Sequence, residues 1–488
     1  VPGDLVRYEY EANGQLRRVI NRAGTAVRGF EYARIGAHWL MSSHSLPSGL
    51  KCHYSWEQFA DAPRVVRQHS SDGACYDLRY EIELSAPEAL PEGSRLLGGS
   101  TLVTDHLGRR QQWQWNARYE TTAYVDPLGH GSHFEYQHDV LLIRETAPDG
   151  GQTRIDYDKH CNVTVVTDPL GRRHITRWVE TLSLPSADIA PDGSATRYSY
   201  DDRGNLVSIT DSQEQVTRYV HEERGLPIVI TDAKGGASRL RWNERALLVQ
   251  YTDCSGQSTH YTYDGWGNLS RITDALGQVS ELTHDALGQL RAQTLPDGSH
   301  QGYGWDAAGR LISASDALSR VTRFAYNVRD QLTARRDAEG RQVQLAYDAA
   351  HRLQTLFNEN GQRFDFKYDA ADRLIEETRV GGQRVTVEYD ANGWPVAVTH
   401  WPGVGDEAVA GGSTSTQGAT PEIAQWGDST QAAHAQAAGA LRTELLRDAA
   451  GRLIAKRTAS HHTHYRYDLL DQLVEAKKLA VQSTASLS

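Results

Sequence analysis

The sequence predicts an all-β protein, built from antiparallel β-hairpins stacked into one large spiralling sheet that forms part of a hollow shell. Three observations predict it. Tight-turn sequences recur every 21 residues, a second turn series lies about ten residues out of phase with the first, and the segments between them alternate apolar and polar. Two turns in each 21-residue unit leave about seven residues per strand, the usual strand length. The repeat therefore replaces the domain count that 488 residues would otherwise suggest.

The first turn series starts from "DALG", with Asp274 and Gly277. Stepping by 21 gives "DHLG" at 105, "DPLG" at 126 and 168, "DAKG" at 232, "DCSG" at 253, "DAEG" at 337 and "NENG" at 358, with one 22-residue step between 168 and 190. At 147, 190 and 295 the slot holds "APDG", "APDG" and "LPDG", where Pro presets φ and Gly closes the turn. The second series is an aromatic or His followed by Asp or Asn: Tyr157-Asp158, Tyr200-Asp201, Trp242, Tyr263-Asp264, His284, Trp305-Asp306, Tyr326, Tyr347-Asp348, Tyr368-Asp369, Tyr389-Asp390 and Tyr467-Asp468. Three residues after each Asp or its equivalent, Gly204, Gly267, Gly309 and Gly393 mark a position that demands positive φ. Asp330, His351, Asp372 and Asp471 occupy the same slot as the residue types that best tolerate it. Ala246 fits least well and predicts a locally different turn.

Val385, Val387 and Tyr389 share one strand face, as do Phe364, Phe366 and Tyr368, while Thr262, Ala325, Lys367 and Glu388 take the other. Leu269, Leu290, Leu311, Leu332, Leu353 and Leu374 open the return strands, where they are expected to stack with the aromatics. A single unit has no core of its own, so stability requires neighbours to stack. With helical periodicity nearly absent, the sheet must curve on itself or bury a face. About 14 regular units would give roughly 130 Å of contour and a ring about 43 Å across. One strand length is too short for such a ring to enclose a domain, so the chain is expected to supply part of a wall.

The recurring "YDDRGNLVSITD" at 200, "WDAAGRLISASD" at 305 and "YDAADRLIEET" at 368 resemble the Rhs/YD-repeat family, from about 105 to 400 and again from about 441 to 475. The resemblance is to the bacterial Rhs polymorphic-toxin core and, more distantly, to the shells of Tc toxins and teneurins. It implies a structural shell that encloses a C-terminal toxin domain and delivers it into competing cells by type VI secretion. The implied partners are the enclosed toxin, the remaining shell segments of the same precursor, a PAAR-type spike and a chaperone. The implied location is the bacterial cytoplasm, followed by secretion. The family's "DPxGL" self-cleavage boundary has no match after residue 441, so no protease role is assigned to any Asp. Residues 1–104 read as a divergent β-rich start, edge or plug, 105–400 as regular repeats, 401–440 as a low-complexity insertion loop, and 441–488 as further repeats with a polar tail. The opening on Val1 and the tail "AVQSTASLS" are expected of a piece excised from something longer.

A net charge of -11 supplies no basic field for nucleic acid or an anionic membrane, and no run of 18 apolar residues occurs. Cys52, Cys75, Cys161 and Cys254 form no C-x-x-C pair and read as free thiols, with a Cys52–Cys75 bridge as the alternative in an oxidising compartment. "GDST" at 427–430 reads as a chance match to a hydrolase box, and "NVT" at 162 and "NLS" at 268 matter only in a eukaryote. His462 and His464 share a strand face opposite His461, without a further ligand. The aspartates recur at one turn position, which is architecture rather than a catalytic pair. No catalytic, cofactor or metal residue is expected, and the chain reads as non-enzymatic. The competing reading is a cell-surface adhesin that grips glycans on Trp242, Trp266, Trp305 and Trp394.

Overall fold

The computed structural model describes residues 5–85, 96–403 and 439–481. Most of the 85–94 loop and of the 403–440 insertion, the "GDST" at 427–430 and the tail from 482 lie outside the described residues. Among the described residues forty strands, from β1 (Val6–Tyr10) to β40 (Leu473–Ala480), form one sheet. Each strand pairs antiparallel with its neighbours in sequence, so the chain is a single unbroken meander. The strands between residues 26 and 84 pair antiparallel within that same meander. Among the described residues the helical content is one 3-10 turn, Val380–Gly382.

Each regular unit pairs a six-residue strand with a five-residue one, as in Ser258–Tyr263 and Leu269–Thr273. The register slips by one residue between Thr262 and Tyr263, and the equivalent slip recurs beside Tyr200, Trp242, His284, Trp305 and Tyr347. The opposite end of the ribbon keeps strict register, as from Arg271–Glu281 to Thr273–Val279. In the regular units the extra residue is inserted at the same edge each time and bends successive hairpins in the same sense, which supplies the curl.

The bulge also positions the repeat aromatics. Tyr263 faces Leu269 across the pair, and its hydroxyl donates to the Leu248 carbonyl of the preceding unit at 2.8 Å. Tyr157, Tyr200, Tyr326, Tyr347, Tyr368 and Tyr389 do the same, each to the residue 15 positions earlier. At Trp178, Trp242 and Trp305 the indole Nε1 replaces the hydroxyl, donating at 2.8 Å. The slot therefore selects an aromatic that carries a polar hydrogen, and the apolar stack expected from sequence is also a hydrogen-bonded one.

Ala246 adopts φ 58° and makes the same turn as its neighbours, donating to the Asn243 carbonyl at 3.1 Å. The locally different turn expected there is absent, because the flanking hydrogen bonds impose the left-handed conformation on Ala despite its Cβ. Such a residue carries roughly 1–2 kcal/mol of steric cost. Ala246→Gly is expected to stabilise the fold by about 0.5–1 kcal/mol after the extra chain entropy of Gly is subtracted. Chemical denaturation of the two proteins side by side measures it.

Candidate functional site: the seam between laps

The turns of one edge meet the turns of the other edge hundreds of residues later. Ser48 donates to the Val328 carbonyl at 2.6 Å, a His106 ring nitrogen lies 2.8 Å from the Ala349 carbonyl, and the Asp149 amide donates to Asn392 at 3.2 Å. Arg109 reaches Asp372, Arg172 reaches Asp471, and Arg329 reaches Asp72. Two first-series turns, at 70–73 and 105–109, each nest between two turns of the other edge. The turn at 70–73, after the sixth strand, touches Arg329, after the twenty-ninth, and His351, after the thirty-first. The turn at 105–109 touches Ala349 and Asp372 with the same strand offsets. One lap is thus about 24 strands, and the sheet coils through about one and two-thirds laps, roughly 37 Å across at the spacing of adjacent strands. That is tighter than the 43 Å ring expected from unit count, because the bulges set the curvature.

The latch residues are built by the turn itself. In most of the Asp-headed turns one carboxylate oxygen accepts two backbone amides: Asp274 Oδ1 takes Leu276 and Gln278, two and four residues on, at 2.9 and 2.7 Å. Asp158, Asp201, Asp264, Asp306, Asp348, Asp369 and Asp468 repeat the pattern. Asp390 accepts the Trp394 amide at 2.9 Å. Gly204, Gly267, Gly277, Gly309 and Gly393 all hold positive φ, as do Asp330, His351, Asp372 and Asp471.

Where Arg follows four residues after the Asp, it uses its two ends separately. Arg352 Nε binds its own Asp348 at 2.8 Å, Nη1 reaches Asp372 in the next turn at 2.8 Å, and the guanidinium lies 4.7 Å from the Tyr368 ring centre. Arg452 repeats this with Asp448, Asp471 and Tyr467, and Arg310 with Asp306, Asp330 and Tyr326. Asp372 and Asp471 therefore each receive two arginines, one from the adjacent turn and one from the other lap. Their choice over Gly has a second cause beyond tolerance of positive φ, namely the seam. The sequence marked them as exceptions in the Gly slot but could not show partners 263 and 299 residues away.

Arg329 grips Asp72 through Nε and Nη2 and also meets Ser70 at 3.0 Å, while His351 Nδ1 lies 4.0 Å from Asp72. The Arg329 hydrogen bond holds the Asp72 carboxyl far below the usual carboxylate range, and Arg172 holds Asp471 below it. Burial lowers His351. Depressed carboxylates stabilise the seam above their unfolded value near pH 3.9 and lose that contribution as pH falls through the folded value; a depressed His begins to oppose folding below about pH 6.5. Both effects have the same sign. Pulsed spin-label distances between positions 48 and 328, with the native thiols replaced, are expected to hold from pH 8 to 7, broaden below about pH 6 and lengthen below about pH 4.

A groove of about 660 Å³ follows the seam, lined by Asp126, His130, Asp168, Arg172, Trp394 and Ala450 among others. Among the described residues no group of three or more His, Cys, Asp or Glu is placed to hold a metal ion, and no helix is long and apolar enough to cross a membrane. All four cysteines are free, Cys52 buried and Cys161 and Cys254 exposed. The tryptophans considered as glycan platforms are engaged: Trp242 and Trp305 in the backbone hydrogen bonds, Trp266 under Arg22 at 4.7 Å, and Trp394 against Gly451.

A family model described as Teneurin YD-shell matches residues 174–399. The chain is 32% identical over 168 residues to toxin protein Tse5 of Pseudomonas aeruginosa, covering 34% of this chain and 10% of that protein. It is 31% identical over 113 residues to double-stranded DNA deaminase toxin A of Burkholderia cenocepacia, covering 23% of this chain and 7% of that protein. Among solved structures, a TcdB2-TccC3-Cdc42 crystal structure superposes on 99% of the chain with TM-score 0.55 and 14% identity, over 32% of its own length. The chain thus spans a tenth or less of the curated relatives and about a third of the structural one.

Proposed function

Because the chain belongs to the YD/Rhs-repeat family, we propose that it is a non-enzymatic section of shell wall that secludes a toxin domain until delivery into a competing bacterium. The observation that carries this reading is the seam. A ribbon that merely twisted would not need turns shaped to latch onto turns a full lap later, whereas a wall that must stay shut does. The similarity to two bacterial toxin proteins supports a toxin as cargo. Type VI secretion with a PAAR-type spike and a chaperone, and a path from the producing cytoplasm to the target cell, complete the proposal.

Allowing roughly 10 Å for wall side chains leaves a bore of about 27 Å, narrower than the roughly 34 Å width of a compact 100-residue domain. A cargo held at this level is therefore extended along the axis or only partly folded. Cryo-electron microscopy of the protein as isolated from its producing cells, with protease challenge before and after acid treatment, tests the reading. Expected are density inside the coil and a fragment that becomes protease-sensitive only when the seam opens. An empty coil, or a cargo equally cleaved at neutral pH, overturns it.

A further inference from the structure

The strands that lost the 21-residue register hold a pair of histidines brought together by strand pairing alone. His53 and His69 stand directly opposite each other in the strands Lys51–Gln58 and Pro63–Ser70. Their imidazoles stack with ring centres 4.8 Å apart and planes 11° from parallel. Across the next ladder His69 faces Cys75, and across the previous one His53 faces Ser43, so the pair lies in one lateral row on a single face. Among the described residues neither imidazole makes a hydrogen bond or an ion pair; His69 is exposed and His53 half-buried. The register around them is strict, with Cys52 opposite Ser70 and Tyr54 opposite Gln68. The open end of this hairpin is tied as well, since the Ser71 amide donates to the Lys51 carbonyl at 2.8 Å and the Lys51 amide to Ser71 Oγ at 3.1 Å. Lys51 and Arg67, each two residues before one of the histidines and on the same face, are compensated by Glu31 and Asp77, both at 3.1 Å. A dication at the pair therefore meets no unpaired positive charge from these two.

From this geometry we propose that His53 and His69 form an exchangeable site for a late first-row divalent metal ion, the class that imidazole favours. Metal–nitrogen bonds of about 2.0–2.1 Å at a tetrahedral angle place two ligating nitrogens about 3.3 Å apart. Rings stacked at 4.8 Å need only tilt toward each other to reach that spacing, while the ladders on either side hold their backbones in place. The protein supplies two ligands, and water completes the coordination on the exposed side of His69. In a permanent metal site the second ring nitrogen of each His is held by a carboxylate or a carbonyl. Neither ring has such a partner among the described residues, so the ion loads and leaves with its free concentration. Loading clips the two strands together beside Ser70 and Asp72, which receive Arg329 from the other lap.

The test titrates Cu²⁺ into the full protein carrying Cys75→Ser, Cys161→Ser and Cys254→Ser, and reads the bound ion by electron paramagnetic resonance. The first equivalent is expected to show hyperfine structure from two imidazole nitrogens. His53→Gln and His69→Gln should each weaken its binding at least about tenfold, with circular dichroism unchanged. His464→Gln, which breaks up the other pair of histidines on one strand, His462 and His464, should leave it unaltered. In the same background, excess Zn²⁺ should slow hydrogen exchange in peptides covering 51–54 and 67–70, and either Gln variant at the pair should abolish the slowing. A spectrum with a single imidazole, an equal loss in His464→Gln, protection that survives both variants at the pair, or no binding at all overturns the proposal.

Discussion

Trp115→Ala is expected to lower stability by about 3–5 kcal/mol, the usual loss for a buried Trp. In a wall one sheet thick few side chains are fully enclosed, and Trp115, 8% exposed, is the largest among the buried hydrophobic residues. It faces Gly99 across the pair, donates Nε1 to Thr101 Oγ1 at 3.1 Å, and lies 5.1 Å from the Arg64 guanidinium and 5.3 Å from Tyr119. Gly99 leaves the space: a Cβ there would lie 2.3 Å from the Glu81 carbonyl oxygen and 2.6 Å from the Trp115 ring. Gly99→Ala should therefore reproduce much of the loss by the opposite route, overpacking rather than a cavity. Trp115→Phe, which keeps the stacking but loses the hydrogen bond, should cost only about 1–2 kcal/mol. Equilibrium denaturation followed by circular dichroism ranks the three, and similar stabilities for Phe and Ala at this position would refute the packing account.

Arg329→Ala is expected to cost about 2–4 kcal/mol, since it leaves a poorly solvated carboxylate without its partner. The Asp72 side chain is 16% exposed and the Arg329 side chain 26%, so solvent screens the pair only modestly. Both Nε and Nη2 bond Asp72, which makes the contact a two-pronged fork, so Arg329→Lys should recover less than half of the loss. A double-mutant cycle with Asp72→Asn isolates the coupling, expected at about 1–3 kcal/mol. The loss should register as faster hydrogen exchange in the turns at 70–73 and 327–331, with the ladders on either side unchanged. Uniform acceleration along the chain would place the pair in the core of the fold rather than at its seam.

The period, the turn chemistry and the two faces were legible in the sequence because each is settled within about ten residues. Asp followed three positions later by Gly, as at Asp264 and Gly267, dictates the bend wherever it stands. The lap was not legible, because its length is the sum of many small bends, and no single residue encodes it. Counting units gave a wider ring than the bulges permit. The role of Arg109 was invisible for the same reason: only the coil brings it to Asp372. The strands from 26 to 84 lost the 21-residue register, and several are longer than the regular ones at eight to ten residues, yet antiparallel pairing tolerates such variation without leaving the sheet.

Among the described residues successive laps share no backbone ladder, so the structure is sewn along a helical line by individual side chains while the ribbon itself remains continuous. A pull on one end would peel it as a coiled strip unwinds, parting one stitch before loading the next. The force needed is then set by the strongest single stitch and not by their total, and the unwound strip can close again by the same route.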